Sequence, residues 1–390
     1  MIKKIKIYIT LAAVAFSSVS CLDKYPEDAI PEGDAIRTVE EANQAVIGIY
    51  AYMKNPNLYS GLLTLLPDLQ ANLAYAVEGY TNAYGNIWRW DILPTNTEVE
   101  AVYGTLNALI GKCNFLLERI AILEQEVDDE DYEKLQQFKG EALFARALAY
   151  SDLIKMYCKA YDPATAANEL GVVLVSSYSN TGTLKRASLK DSYQFVLDDL
   201  AQSATCLEPD ENENDESYYD TPYFTIYAVN ALYARVYLNM QEWDKAIEYA
   251  SKVIDSRKFK LSSTTEMIDS ETSYYQYMWQ YDHSTETIWK VGFTTTSYGG
   301  SLGQIFFNYD FNSFKPDYVP AEWVLNLYAD TDLRATTFFQ SYRTGYEHGL
   351  QWPLLAKYFG NQEFYEQNIL HVTMPKVFRL SEQYLIRAEA

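Results

Sequence analysis

The stretch Ala231-Leu-Tyr-Ala-Arg-Val-Tyr-Leu238, running through Gln241-Glu242 into Trp243-Asp-Lys-Ala-Ile-Glu-Tyr-Ala250, carries the pattern that decides the fold. Apolar residues recur at three- and four-residue steps on both sides of a two-residue break, which predicts a helix over 222–240, a tight turn and a second helix over 243–256. Ala234, Tyr237 and Ala246 stand in a small, large, small order along this hairpin. Small side chains at those places let two helix backbones approach closely. The repeat type with this spacing is the tetratricopeptide helix pair. Any helical hairpin with alanine at its contact would show the same three residues, so the motif alone leaves both readings open.

Working outward, the same period recurs along most of the chain. Thr38-Val-Glu-Glu41 has the form of a capping box and opens an apolar pattern through Ala45, Ile49, Tyr52 and Met53, predicting a helix from 38 to about 55. Further helices are expected over 98–124, 130–158 and 188–207; in the second of these, Leu135, Phe138, Ala142, Ala145, Ala149, Leu153 and Met156 fall on one face. Residues 208–216 are almost entirely acidic or amide and read as a solvated loop. From 260 to 320 the helical period fails and an irregular insertion is expected, with one strand at 287–293. Helical signals return at 321–328 and 379–390. The expected organisation is therefore a single domain over 38–390, with a helical scaffold at 38–259 and 321–390 around a loop-rich insertion at 260–320.

The first residues carry an address. Lys3, Lys4 and Lys6 precede a short apolar run at 7–16, and Ser17-Ser-Val-Ser20 supplies small residues ahead of Cys21. The run is about half the ~20 residues that a transmembrane helix needs, so residues 1–20 read as a secretory signal. Small residues directly before a cysteine are the pattern of a lipoprotein signal, which makes Cys21 the expected lipidation site and residues 21–37 a lipidated start and extended leash.

The 390 residues hold 31 Lys+Arg against 53 Asp+Glu, a formal charge of -22, with no basic block to interrupt it. Such a surface repels phosphate backbones, so nucleic acid is not an expected partner. His283, His348 and His371 lie far apart, and Cys21, Cys113, Cys158 and Cys206 form no CxxC pair, so no metal site, cofactor or dense disulfide framework is expected. The acid excess is compatible with calcium, but no loop has the ligand spacing that would argue for it. Gly299-Gly-Ser-Leu-Gly303 fits G-x-S-x-G, and Asp330 with His348 or His371 follows in the chain order of an α/β-hydrolase triad. That motif requires a strand before Ser301, a helix after it and a parallel sheet around both, in a chain that otherwise reads as helical. No catalytic residue is expected.

Aromatic residues supply the positive signal: 7 Trp, 35 Tyr and 17 Phe. Residues 271–311 hold twelve of them, about twice the chain's average density, and Tyr75, Tyr80, Tyr84, Trp88 and Trp90 form a second group in a stretch without helical period, beside Asn82, Asn86, Arg89 and Asp91. Flat rings that stack on the C–H faces of sugars, edged by amide, carboxylate and guanidinium groups that bond hydroxyls, suit an uncharged oligosaccharide. Any single ring is better explained by burial in the core, and the signal lies in the clusters as wholes.

Several stretches together resemble the SusD/RagB family: Cys21 followed by Leu-Asp-Lys-Tyr-Pro; Lys139-Gly-Glu-Ala-Leu-Phe-Ala-Arg-Ala-Leu-Ala-Tyr150; Leu170-Gly-Val172; the 231–250 hairpin; Glu286-Thr-Ile-Trp289; Leu327-Tyr328 with Asp332-Leu-Arg334; and Arg379-Leu-Ser-Glu-Gln-Tyr-Leu-Ile-Arg-Ala-Glu-Ala390. The resemblance implies an all-α fold of tetratricopeptide-like helix pairs in a right-handed superhelical scaffold, with an irregular ligand-binding region. It implies a surface lipoprotein of the outer membrane in Bacteroidota that captures glycans, or peptides in RagB-like members, for a SusC-like TonB-dependent transporter, without catalysis. Family members continue past the last of these stretches, so the chain is expected to be truncated at its C-terminus. The family's contacts have no fixed motif. The expected ligand-binding residues are therefore Trp88, Trp90, Asn86, Asp91, Trp279, Tyr281, Tyr298 and Tyr309, taken from the aromatic clusters and from where the family places its ligand loops. A lipid-anchored serine hydrolase using Ser301 is the rival from another class.

Overall fold

The computed structural model describes residues 35–178, 182–207, 218–310, 313–346 and 351–390. The signal stretch, Cys21 and the acidic loop at 208–216 lie outside the described residues. Helices come first: α1 (Val39–Tyr52), α2 (Leu62–Gln70), then strand β1 (Ala74–Ala76), the one-turn α3 (Gly85–Trp88), and the two longest, α4 (Thr97–Leu123) and α5 (Asp129–Tyr157). Strands β2 (Leu170–Val173) and β3 (Arg186–Ser188) lead into α6 (Leu189–Cys206), and the hairpin follows as α7 (Ile226–Asn239) and α8 (Trp243–Asp255). The start points have local causes, since the side chains of Thr38, Asn96, Asp128, Ser188 and Thr225 each accept a bond from a backbone N–H in the first turn of the helix they open. The expected capping box is only half formed, because the Glu41 carboxylate accepts from the Arg37 N–H (2.6 Å) and not from that of Thr38.

Helix α5 is the centre of the scaffold. Every residue from Gly140 to Ile154 is buried, so the helix is covered all round by its neighbours α1, α4 and α6. Its alanines make that close packing possible, and at Gly140 an added Cβ would come within 2.8 Å of the Cys206 Cβ on α6. The buried polar groups on α5 are each answered: Glu141 accepts from the Tyr50 hydroxyl (2.6 Å), Asp152 from the Tyr59 hydroxyl (2.5 Å), and Arg146 forks onto Asp199 of α6 (2.8 and 2.6 Å) while reaching Asn114 of α4 (2.7 Å).

The region beyond α8 departs from the expectation of one irregular insertion followed by helical scaffold. It contains α9 (Tyr274–Gln280), β4 (Thr287–Lys290), α10 (Gln304–Phe307), β5 (Tyr309–Asp310), β6 (Ser313–Phe314), β7 (Tyr318–Pro320), α11 (Glu322–Leu325) and α12 (Leu333–Phe338). Strands β8 (Phe339–Arg343) and β9 (Gln351–Leu355) form a hairpin where scaffold helix was expected, followed by α13 (Gln362–Glu366), β10 (Lys376–Arg379) and α14 (Leu380–Glu389). All sheets among the described residues are two-stranded and antiparallel. Two of them clip distant segments together: β1 to β7, with Ala74 opposite Pro320, and β4 to β10, with Thr287 opposite Arg379. The second clip sets α14 against α7 and α8, where Ile386 packs on Ala234, Ala246 and Ala250. Fold and sequence agree on an all-α scaffold of tetratricopeptide-like helix pairs.

Candidate functional site

The β1–β7 pairing builds the most conspicuous surface of the molecule. It lays the segment after α2 against the segment entering α11, an arrangement completed by the Ala321 N–H donating to the Leu73 carbonyl (2.9 Å). Three indoles hang from this clip. Trp90 Nε1–H donates to the carbonyl of Gln70 (2.8 Å), Trp323 Nε1–H to that of Asn72 (3.1 Å) and Trp88 Nε1–H to that of Ala74 (3.2 Å). With its N–H satisfied by backbone, each indole has a fixed orientation while its carbon faces are left available. Trp90 remains 66% exposed, Tyr75 55% and Trp323 49%, an unusual area of ring surface for one patch. Trp88 is half-buried and packs edge-on against Tyr75 (6.5 Å between centroids) and Tyr318 (6.4 Å), a wedge beneath the exposed rings. Asn72, Asn82, Tyr84 and Trp90 all hold left-handed backbone, with φ between 55° and 64°. Such a concentration of costly backbone is retained where the surrounding structure over-determines it.

A polar rim adjoins the rings. The exposed Arg89 guanidinium is held in place by three neutral oxygens, donating to the Tyr80 hydroxyl (2.7 Å) and to the side-chain carbonyls of Asn82 (2.9 Å) and Asn86 (3.0 Å). Among the described residues no carboxylate lies in ion-pair contact with it, so its charge faces outward. Asp91 is exposed beside it, its N–H donating to the Asn86 carbonyl (2.8 Å). Asn86 and Trp88 thus sit on a single helical turn, α3, in a stretch expected to be non-helical.

The neighbouring cavity, about 930 Å³, runs between the 81–84 loop and the 301–317 segment, and Tyr309 lies on it, 63% exposed. Asp317 fastens its two walls, accepting from Thr81 N–H (2.7 Å), Thr81 Oγ1–H (2.9 Å) and Asn308 Nδ2–H (2.7 Å). Of the expected site residues, Trp88, Trp90, Asn86 and Asp91 are therefore brought together, and Tyr309 stands across an adjoining cavity from their loop. Trp279 and Tyr281 are elsewhere, at the end of α9. Tyr281 stacks on Tyr277 (4.5 Å), and the Trp279 indole is enclosed among Lys357, Lys376 and Arg379. Tyr298 is exposed near Phe364 of α13. Trp323 and Tyr75 complete the patch and were not among the expected residues. Trp323 lies on the one-turn α11 within the helical stretch expected over 321–328, where its indole is exposed beside an exposed Leu327.

Ser301 is not on a nucleophile elbow. It follows Gly299-Gly300 in coil, the Gly300 N–H is held by the Ser60 hydroxyl (2.9 Å), and the segment after it is the four-residue α10. His371 reaches the same cavity, but its Nδ1 faces the Phe359 carbonyl (2.8 Å), its ring stacks on Phe307 (5.4 Å), and burial lowers its proton affinity. A triad would require a carboxylate at that nitrogen.

The family described as "Starch-binding associating with outer membrane" matches residues 22–238, more than half of the chain, and the chain belongs to this SusD-like family. A curated relative, SusD-like protein P2 of Formosa agariphila, is 22% identical over 257 residues; the match covers 65% of this chain and 46% of that protein, so the chain aligns with under half of its relative's length. Among solved structures, a SusD superfamily protein from Bacteroides thetaiotaomicron is similar with a TM-score of 0.75 at 23% identity, covering 90% of this chain and 75% of that one. Surface glycan-binding protein A from Bacteroides uniformis is similar with a TM-score of 0.69 at 16% identity, with 90% and 75% covered. At these identities the structures establish the shared fold.

Proposed function

We propose that this chain is a cell-surface lipoprotein, anchored through Cys21, that captures oligosaccharides on the patch of Trp90, Trp323 and Tyr75 and delivers them to a SusC-like TonB-dependent transporter without changing them covalently. The observation that carries this reading is the set of three indole N–H bonds to Gln70, Asn72 and Ala74, which fixes the rings before any ligand arrives. Preorganised rings lose little side-chain entropy on binding, so stacking against a sugar face is expressed as affinity. Arg89, Asn86 and Asp91 stand where sugar hydroxyls would meet donors and acceptors. The glycan-binding and laminarin-binding relatives of the same fold support the ligand class. Tyr309 is proposed to extend this patch across the cavity, and Trp279, Tyr281 and Tyr298 are not proposed to belong to it.

The test is binding of the full mature chain to a panel of neutral glycans, with the Trp90→Ala/Trp323→Ala double variant alongside. Each ring is expected to contribute about 1 kcal/mol, so the double variant binds the preferred glycan about 30-fold more weakly, whereas Tyr298→Ala binds as the parent does. A folded chain that retains peptides and no glycan would replace this reading by peptide capture.

A further inference from the structure

In a chain with a formal charge of -22, one cavity is lined by cations. It measures about 460 Å³, in the size range of small-ligand sites, and lies where α2, the C-terminal ends of α5 and α7, the end of α9 and the strand β10 converge. Lys155, Arg235, Lys357, Lys376 and Arg379 all line it, against two carboxylates, Asp152 and Glu382. Three of the cations are matched: Arg235 by Glu382 (2.7 Å), Lys376 by Asp282 (2.5 Å) and Arg379 by Glu286 (2.9 Å). Asp152 is occupied by the Tyr59 hydroxyl.

Lys155, which is exposed, and Lys357 have no such match among the described residues, and Lys357 is the more enclosed of the two. Its ammonium lies over the rings of Trp279 (4.8 Å), Tyr358 (5.0 Å) and Phe338 (5.3 Å), while Lys376 and Arg379 approach the same Trp279 ring at 5.0 and 5.1 Å. Burial lowers its proton affinity to about 8, assisted by the like charges of Arg379 and Lys376 and opposed by Asp68. One buried donor of the same wall, Asn239 Nδ2–H, has no acceptor, while Trp279 Nε1–H has the Tyr275 hydroxyl beside it. Unanswered donors cost free energy, and here one lines the same cavity as an unmatched ammonium. What the wall lacks is an anionic acceptor. Around that lack stand groups suited to hydroxyls, namely Thr64, Thr373 and the two carboxylates.

We propose that this cavity is a second binding site, for a single sugar unit that carries a carboxylate, with the carboxylate accepting from Lys357 and Asn239 Nδ2–H. The sugar part of this assignment rests on the glycan-capture reading; the carboxylate part rests on the cavity alone. Charge-assisted bonds to an ammonium are about twice as strong as neutral ones, so a uronate is distinguished from its neutral methyl ester at this place.

Calorimetric titration of the full chain with galacturonate, glucuronate, methyl galacturonate ester, galactose and inorganic sulfate tests it. The expected result is a uronate affinity at least tenfold above that of the ester and of galactose, lost in Lys357→Met and kept in Lys357→Arg. The affinity should also fall as the pH is raised from 7 to 9 and Lys357 gives up its proton, a dependence absent in Lys357→Arg, whose guanidinium stays charged. Lys357→Met should fold, since it removes an unmatched buried charge, and circular dichroism with a thermal midpoint at or above the parent's verifies that. Equal binding of uronate and ester, an undiminished uronate preference in Lys357→Met, or no binding of any probe overturns the proposal. Sulfate binding as tightly as uronate overturns the sugar assignment and leaves a general oxyanion site. The Trp90→Ala/Trp323→Ala chain retains uronate binding in the expected case, so failure of the aromatic patch and failure of this cavity are read separately.

Discussion

Trp88, Trp90 and Trp279 look alike in the sequence and occupy three different environments in the fold. What separates them is the fate of one N–H group and of two ring faces. Trp90 donates to Gln70 and turns its ring outward, Trp88 donates to Ala74 and wedges beneath Tyr75, and Trp279 has the Tyr275 hydroxyl beside its N–H and is enclosed by cations. Composition could mark these residues as a group. It could not sort them, because the cations that enclose Trp279 come from residues 357–379 and follow no local pattern. In the scaffold, Arg146 falls within the fully buried run of α5, where a charge requires a partner. That partner is Asp199, and the pair is nearly inaccessible, with side chains 8% and 3% exposed. Arg146→Ala strands the Asp199 carboxylate and the Asn114 amide without their donors, so urea unfolding is expected to show a loss of roughly 3–5 kcal/mol. Arg146→Ala/Asp199→Leu should recover part of it, because no uncompensated charge remains.

At the scale of elements, the long helices were legible, and of the strands only the one expected over 287–293, which appears as Thr287–Lys290. The helices expected over 98–124, 130–158 and 188–207 appear as Thr97–Leu123, Asp129–Tyr157 and Leu189–Cys206, because a 3.6-residue period accumulates over many turns and a polar N-cap marks each start. Strands of two to five residues hold no period, and β1 finds its partner β7 more than 240 positions later, so nothing local announces either. This is why the clip that assembles Trp88, Trp90 and Trp323 escaped the sequence while the aromatic enrichment did not. The hairpin α7–α8 shows the opposite case, since its contact is written in small residues. Ala234, Ala246 and Ala250 have no exposed surface, and Tyr233, Tyr237 and Tyr249 stack beside them at 4.3–5.8 Å. Replacing Ala246 by Leu forces a longer side chain into that contact, and thermal or urea unfolding of Ala246→Leu should register a destabilisation of about 1–3 kcal/mol. A shift below the error of the measurement would mean that the helix pair is loosely seated against α14.

At the scale of the whole molecule, charge and ring surface are partitioned. The chain's formal charge of -22 excludes polyanions from most of its surface, the aromatic patch offers stacking with one outward guanidinium, and the unmatched cation is confined to a cavity. The two places should therefore answer differently to salt. Stacking and neutral hydrogen bonds are hardly screened, so affinity for a neutral glycan at Trp90 and Trp323 is expected to change less than twofold between 50 mM and 500 mM NaCl, by the weak salt dependence of uncharged contacts. An acidic oligosaccharide approaching the same chain meets long-range repulsion from its surface and short-range attraction within the cavity. The Debye length contracts from ~14 Å to ~4 Å over that range, which removes the first effect before the second, because the cavity contact is partly desolvated. Association of an acidic oligosaccharide should therefore become faster with added salt, while its dissociation changes little. Stopped-flow fluorescence of the intrinsic tryptophans measures both rates, and an association rate that fell steeply with salt would show that local cations, and not the net charge, govern the approach.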